Sequence, residues 1–279
     1  MPVRHGHLCG GRRVGPGAYG SHRSVHVKSL RLAISFLTVL PVAPDHSGPM
    51  APARACFPLV GLGLGGILAG LDIAARQVLP LPVVGALLVA ALLVLTRALH
   101  MEGFLDTCDG LLGGRDRESR LAILRDSHVG AFAVIGGACL LLLKWTLLVG
   151  IPEAERIGLL VLFPSLSRFA MVATMAFFPY ARSQGLGTAF QVWASWRQLA
   201  FAFLTAAVVG GLFFGIAGLL LLAIATVAAV GLGLWFRRLL GGMTGDTYGA
   251  TNEVAEVAVL LAGLILIQLS PGLAGAPFW

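Results

Sequence analysis

From residue 56 onward, long apolar runs alternate with short polar stretches, and the runs have the length of membrane-crossing helices. Candidate spans lie at about 56–78, 82–100, 131–150, 157–178, 199–216, 218–236 and 254–270. A bilayer-spanning helix needs roughly 18 or more consecutive apolar residues, and most of these runs reach that length. The 199–236 stretch is too long for one helix, and the turn from Gly215 to Gly218 is where a reversal costs least. The pattern predicts an all-α, polytopic membrane bundle of about seven spanning helices. Short alternating segments, the mark of a membrane β-barrel, are absent.

Ahead of the spans, residues 1–28 are rich in Gly, His, Arg and Ser and read as a disordered basic tail. Residues 29–41 couple basic residues to a short apolar run ending at Pro41. They predict a short N-terminal interfacial helix, with a cleaved leader as the alternative. Four prolines between Pro41 and Arg54 predict an irregular loop, and residues 29–279 then form a single membrane-embedded domain.

Composition agrees: 57% of residues are hydrophobic and 12% charged, which excludes a soluble globular class. The net charge of +7 is better explained by basic loops facing anionic lipid than by nucleic acid, which is not an expected partner. If the tail is cytoplasmic, so are Arg115, Arg117, Arg120, Arg125, Arg182, Arg197, Arg237 and Arg238, leaving Arg76 and Arg156 opposite. Cys9, Cys56, Cys108 and Cys139 form no CxxC pair and suggest neither zinc nor a disulfide framework.

Residues 100–132 hold six of the 13 acidic residues, between apolar runs on both sides. Glu102, Asp106 and Asp109 are spaced i, i+4, i+7, which places them in one stripe of a helix. Such carboxylates repel one another unless a cation joins them, and all-oxygen ligands suit Mg²⁺. A solvated acidic loop fits the same spacing. Residues 239–257 form a Gly- and Thr-rich turn in which Thr244 and Gly245 could offer backbone N–H groups to phosphate, with Asp246 at the tip. The alternative is an ordinary turn before a helix that favours acids at its start. Lys144 and Arg168 lie deep in apolar spans, where a charge costs about 2.5–3.5 kcal/mol and seeks a partner, either an anionic ligand or interior acids. His100 is a candidate general base, or a residue behind the metal, or an interfacial side chain. Together these groups outline Mg²⁺-assisted phosphoryl transfer. A transporter could use the same charges but should show internal repeats, and none is found.

The chain resembles the cobalamin synthase family of integral-membrane adenosylcobinamide-GDP ribazoletransferases. The segments that carry the resemblance are SFLTVLPV, FPLVGLGLGG at 57–66, HMEGFLDTCDGLLGG at 100–114 and LAILRDSHVGAFA at 121–133. Lys144, Ser167-Arg168, YARSQGLG at 180–187 and GGMTGDTYGATNE at 241–253 complete the set. The resemblance covers roughly residues 29–270. It implies joining adenosylcobinamide-GDP to α-ribazole, or its 5′-phosphate, with release of GMP. It further implies Mg²⁺; the spans and the arginine count place the protein in the cell inner membrane, multi-pass, with its active site on the cytoplasmic side, and a homo-oligomer is left open. By position, Asp106 and Asp109 become metal ligands and Asp126 and Asp246 further ligands or orienting groups, while Lys144, Arg168 and Arg182 contact phosphates. Glu102 stands where the family usually has Asp, which extends the carboxylate by one methylene and leaves its role open. CDP-alcohol phosphotransferases and membrane prenyltransferases are the rival enzymes, but their signature strings are missing.

Overall fold

The structure is a computed structural model that describes residues 22–43, 50–182, 190 and 195–270. The described residues form helices, without a strand. In order these are α1 (His22–Leu37), a 3₁₀ segment (Ala51–Cys56), α2 (Phe57–Ala75), α3 (Leu81–Leu95), α4 (Leu99–Gly113), α5 (Arg117–Ile123), α6 (Ala131–Val149), α7 (Glu153–Phe177), α8 (Trp196–Leu240) and α9 (Gly245–Leu269). Helix α1 begins six residues before the expected tail boundary. Residues 1–21, which hold most of the expected tail, lie outside the described residues.

Helix α7 is the hub. Within its most apolar 18 residues 89% are buried, against 33% for α6, so α7 is wrapped by its neighbours while α6 lies at the periphery. Glycines bring α2 onto α7 backbone to backbone: a Cβ on Gly61 would fall 2.3 Å from the Pro164 carbonyl oxygen, and one on Gly65 2.5 Å from that of Val161. Small residues at such spacing let membrane helices approach closely. The outward faces carry exposed Val134, Ile135, Leu142, Leu204, Ile216, Val227 and Leu234, an apolar shell that lipid, not water, would cover.

Two features settle the span pattern. In α8, Gly215 adopts φ +58°, ψ −140°, a conformation open to glycine almost alone. A Cβ on Gly218 would then lie 2.0 Å from the Gly210 carbonyl oxygen. Eight residues along an unbroken helix would separate them by about 12 Å, so α8 is a hairpin of two legs, divided where the sequence predicts. The expected span at 82–100, by contrast, ends at Leu95. Arg97 and Ala98 both take positive φ, at 53° and 52°, and the chain turns 92° into α4. His100 therefore belongs to the next helix. Five continuous helices among the described residues are long and apolar enough to span. Counting the legs of α8 separately and α3–α4 as one broken span gives about seven. The loop expected to be irregular up to Arg54 is regular from Ala51, where Pro52 starts the 3₁₀ segment.

The two ends of the bundle differ. At one end, Asp72 of α2 is fully buried and receives three hydrogen bonds from Arg156 of α7, at 2.7–3.0 Å. At the other, some 37 Å away along the 25-residue α7, the polar connections meet. There Ala181 N–H donates to Met243 O (2.7 Å), Met243 N–H to Pro179 O (2.8 Å), and Arg117 Nε to Leu240 O (2.8 Å). Residues 100–130, 178–182 and 240–246 thus share one end.

Candidate active site

Helices α4 and α9 cross there at very short range. A Cβ on Gly103 would be 2.7 Å from the Asp246 carbonyl oxygen, and one on Gly249 would be 2.9 Å from that of His100. The glycines of the two motifs, one from each helix, are what allow the acids of α4 to face the start of α9. That start is well formed: Thr244 Oγ1 accepts from Thr247 N–H (3.2 Å) and Thr247 Oγ1 from Thr244 N–H (2.7 Å). Gly245 and Asp246 sit in the first turn, where N–H groups have no intrahelical acceptor and the helix dipole is positive.

A cavity of about 230 Å³ opens at this crossing. Its polar wall is Glu102, Asp106, His100 and Asp246 with Gly245, and its apolar wall includes Phe36, Leu99, Met171, Met175 and Phe190. Asp106 lies within Coulombic reach of Glu102, Asp109 and Asp246. A second, outer basin shares Glu102 and Asp106 and adds Leu124, Arg125, Asp126 and Ser127. Arg182 donates to Asp246 Oδ2 (3.1 Å) and to Leu124 O (3.3 Å), and Asp246 Oδ2 also accepts from Thr244 Oγ1 (3.2 Å). The fold therefore brings Glu102 and Asp106, neighbours by helix spacing, together with Asp246 from the Gly-rich turn, with Asp126 and Arg182 at the edge.

Three other expected site residues are occupied elsewhere. Asp109, expected as a metal ligand, is buried and accepts from Gly130 N–H (2.6 Å) and Ala133 N–H (2.9 Å), so it caps the start of α6. A Cβ on Gly130 would lie 2.6 Å from Asp109 Oδ1, so only glycine leaves the carboxylate room. Helix α6 has Gly130 at its N-cap and no capping side chain of its own, a sequence signal that the cap comes from elsewhere. Lys144 and Arg168, expected on phosphate, are paired with interior acids instead. Lys144 Nζ donates to Glu253 (2.5 Å) and Glu256 (2.7 Å), and Arg168 Nη1 donates to Glu256 and to Ser167 Oγ (3.0 Å). Burial so deep demands a compensating charge, and α9 supplies it at i, i+3 spacing.

His100 lines the cavity at 2% exposure, and neither ring nitrogen has a hydrogen-bond partner among the described residues. It is within Coulombic reach of Arg168, Glu256 and Lys144, so the ion cluster lies near the cavity. Outside the bundle, Asp126 accepts from the His128 ring (2.5 Å) and backbone (3.0 Å). Those bonds hold the Asp126 carboxyl below its usual range and push the His128 imidazole above its own. Among the described residues no three His, Cys, Asp or Glu side chains are gathered closely enough to hold a metal without further ligands. Met171, Met175, Arg125 and Ser127 were not anticipated from sequence. The methionines follow Arg168 at i+3 and i+7, a spacing that marks the same helix face.

An all-α polytopic membrane protein with a carboxylate-walled cavity at one end is the class that fold and site define. The sequence profile of the cobalamin-5-phosphate synthase family matches residues 29–264, and the chain belongs to that family. It is 37% identical over 233 residues to an adenosylcobinamide-GDP ribazoletransferase from Geotalea daltonii, covering 82% of this chain and 94% of the relative. Identity to the enzymes of that name from Desulforamulus reducens and Pseudomonas paraeruginosa is 39%, over 86% and 85% of this chain and 98% and 97% of theirs. No solved structure matches.

Proposed function

We propose that this chain is an adenosylcobinamide-GDP ribazoletransferase, joining adenosylcobinamide-GDP to α-ribazole or its 5′-phosphate with release of GMP. The observation that carries the reading is the meeting of Glu102, Asp106 and Asp246 at the start of α9 in a membrane bundle of this family. In the reaction a ribazole hydroxyl oxygen bonds to the phosphorus attached to the corrinoid side chain. The bond from that phosphorus to the GMP oxygen breaks, and GMP leaves. Phosphoryl transfer asks mainly for positioning and charge neutralisation.

The residues divide that work. Asp106, which borders both chambers, takes the proton of the attacking hydroxyl. The first-turn N–H groups at Gly245 and Asp246, with Arg182 and Arg125 at the rim, face the phosphate oxygens. Asp109, Lys144 and Arg168 hold the frame. The wall of carboxylate oxygens from Glu102, Asp106 and Asp246 fits Mg²⁺, a hard ion that prefers oxygen ligands. That ion commonly takes one or two carboxylates and completes its shell with substrate phosphate and water, which needs no preformed cage. Glu102 and Asp246 would hold it, and when bound it would neutralise charge on the phosphates. The longer reach of Glu102 suits a residue that approaches from the exposed side of α4.

The arginine distribution supports a cytoplasmic active site in the cell inner membrane. Arg115, Arg117, Arg120, Arg125, Arg182, Arg237 and Arg238 all belong to the end that carries the cavity. Assembly into a homo-oligomer is compatible with this arrangement. The test is purified protein in a bilayer with Mg²⁺, adenosylcobinamide-GDP and α-ribazole. GMP release is expected, and its absence in folded protein would refute the proposal.

A further inference from the structure

The two chambers flanking Glu102 and Asp106 differ in chemistry. The outer basin carries Arg125, Asp126 and Ser127 and is open to polar groups. The inner cavity sets an apolar wall of Phe36, Leu99, Met171 and Met175 against the acids, and His100 and the Tyr248 phenol are deeply buried along it. At about 230 Å³ it is smaller than the usual range for drug-sized ligands, which begins at about 300 Å³, and cannot take a corrinoid macrocycle. It suits a small, flat group.

We propose that the inner cavity seats the aromatic base of the acceptor nucleoside, with His100 bonding to its polar edge, while the nucleotide-activated corrinoid approaches Asp106 from the outer basin. The inference rests on the transferase reading and deepens it by giving each substrate its own side of the acid pair. Three observations converge. Buried polar side chains rarely lack a partner, and both ring nitrogens of His100 lack one among the described residues, so a ligand atom at the cavity floor would supply what the protein does not. Methionine thioethers adapt to flat rings and make favourable sulfur–aromatic contacts, and Met171 and Met175 line the cavity from one face of α7. A guanine base carries hydrogen-bonding groups on nearly every edge, and those turned to the wall of Phe36, Leu99, Met171 and Met175 would stay unpaired. A benzimidazole does not carry that burden. With the base inside, the ribose hydroxyls come to the Glu102–Asp106 wall, where the phosphorus must arrive from the other side.

The experiment is direct binding of α-ribazole, followed by benzimidazole fluorescence, to the full chain in nanodiscs without corrinoid. Wild-type protein should bind α-ribazole, and GDP should not displace it. Met175→Trp, whose bulkier, rigid ring takes up part of the cavity, should weaken α-ribazole binding about tenfold or more while adenosylcobinamide-GDP binds within about twofold of wild type. A riboside of unsubstituted benzimidazole, having lost two methyl groups, should regain much of that loss, which a misfolded variant would not show. Displacement of α-ribazole by GDP, or selective weakening of the corrinoid substrate, would overturn the assignment. So would GMP release by a protein that does not bind α-ribazole in this assay. Binding of α-ribazole as described, without GMP release when both substrates are present, would instead refute the transferase reading and leave the cavity assignment standing.

Discussion

The bundle buries two sets of ion pairs, and they are finished to different degrees. At the far end, Arg156 spends its guanidinium on both oxygens of Asp72 and on the carbonyls of Leu148 (2.7 Å) and Ile151 (3.5 Å). Near the cavity, the Lys144–Glu253–Glu256–Arg168 cluster balances in charge but not in hydrogen bonds. Arg168 Nε and Nη2, Asn252 Oδ1 and both nitrogens of His100 have no partner among the described residues. A saturated pair has nothing left to offer and acts as a fastening. An unsaturated cluster beside a cavity keeps polar atoms available and orients the groups above it. Burial of charge alone does not identify a functional site; the state of its remaining hydrogen bonds is the better guide.

This contrast can be broken at several points. The largest effect should come from Asp106→Asn, which keeps the shape of the cavity wall and removes its charge. Turnover in the GMP-release assay should fall about 10²–10⁴-fold, with unchanged expression and thermal midpoint. Glu256→Ala should cost about 3–5 kcal/mol, because it strands Lys144 and Arg168 in the interior; chemical denaturation in detergent reads this. Asp72→Ala should cost about 3 kcal/mol, since Arg156 keeps its two carbonyl acceptors, and should leave the turnover of folded protein unchanged. Gly130→Ala should cost about 1–3 kcal/mol by driving a methyl group into the Asp109 carboxylate and loosening the start of α6.

The smallest effect sits at the exposed pair. Asp126 raises the His128 pKa above its ordinary value of about 6.5, so the pair's contribution is complete below that value and is lost as pH rises through the raised one. The depressed Asp126 pKa limits it on the acid side, where the contribution disappears as pH falls through the lowered value. Histidine NMR should show His128 titrating later than a free imidazole in wild type, and returning toward about 6.5 in Asp126→Asn.

Much of the fold was readable because its signals are local. The apolar runs mark the spans, and Gly215 divides α8 because only glycine holds its backbone angles. The end of α3 was not readable, because nothing in Arg97-Ala98 as a sequence announces two successive residues with positive φ. At the site, the i, i+4 pair Glu102 and Asp106 survives as a cavity wall, since helix periodicity alone puts them together. Asp109 shares that spacing yet points to α6, a long-range partner that periodicity does not report. Likewise Lys144 and Arg168 announce that they need anions, but only tertiary packing shows that Glu253 and Glu256 meet the need.

The sharpest measurement compares Asp106→Asn and Asp72→Asn side by side in proteoliposomes, recording GMP release per folded molecule and thermal midpoint together. The account predicts a crossover: Asp106→Asn loses release at an unchanged midpoint, while Asp72→Asn lowers the midpoint and keeps its release. Retained GMP release in Asp106→Asn, or equal losses of stability in both variants, would contradict it.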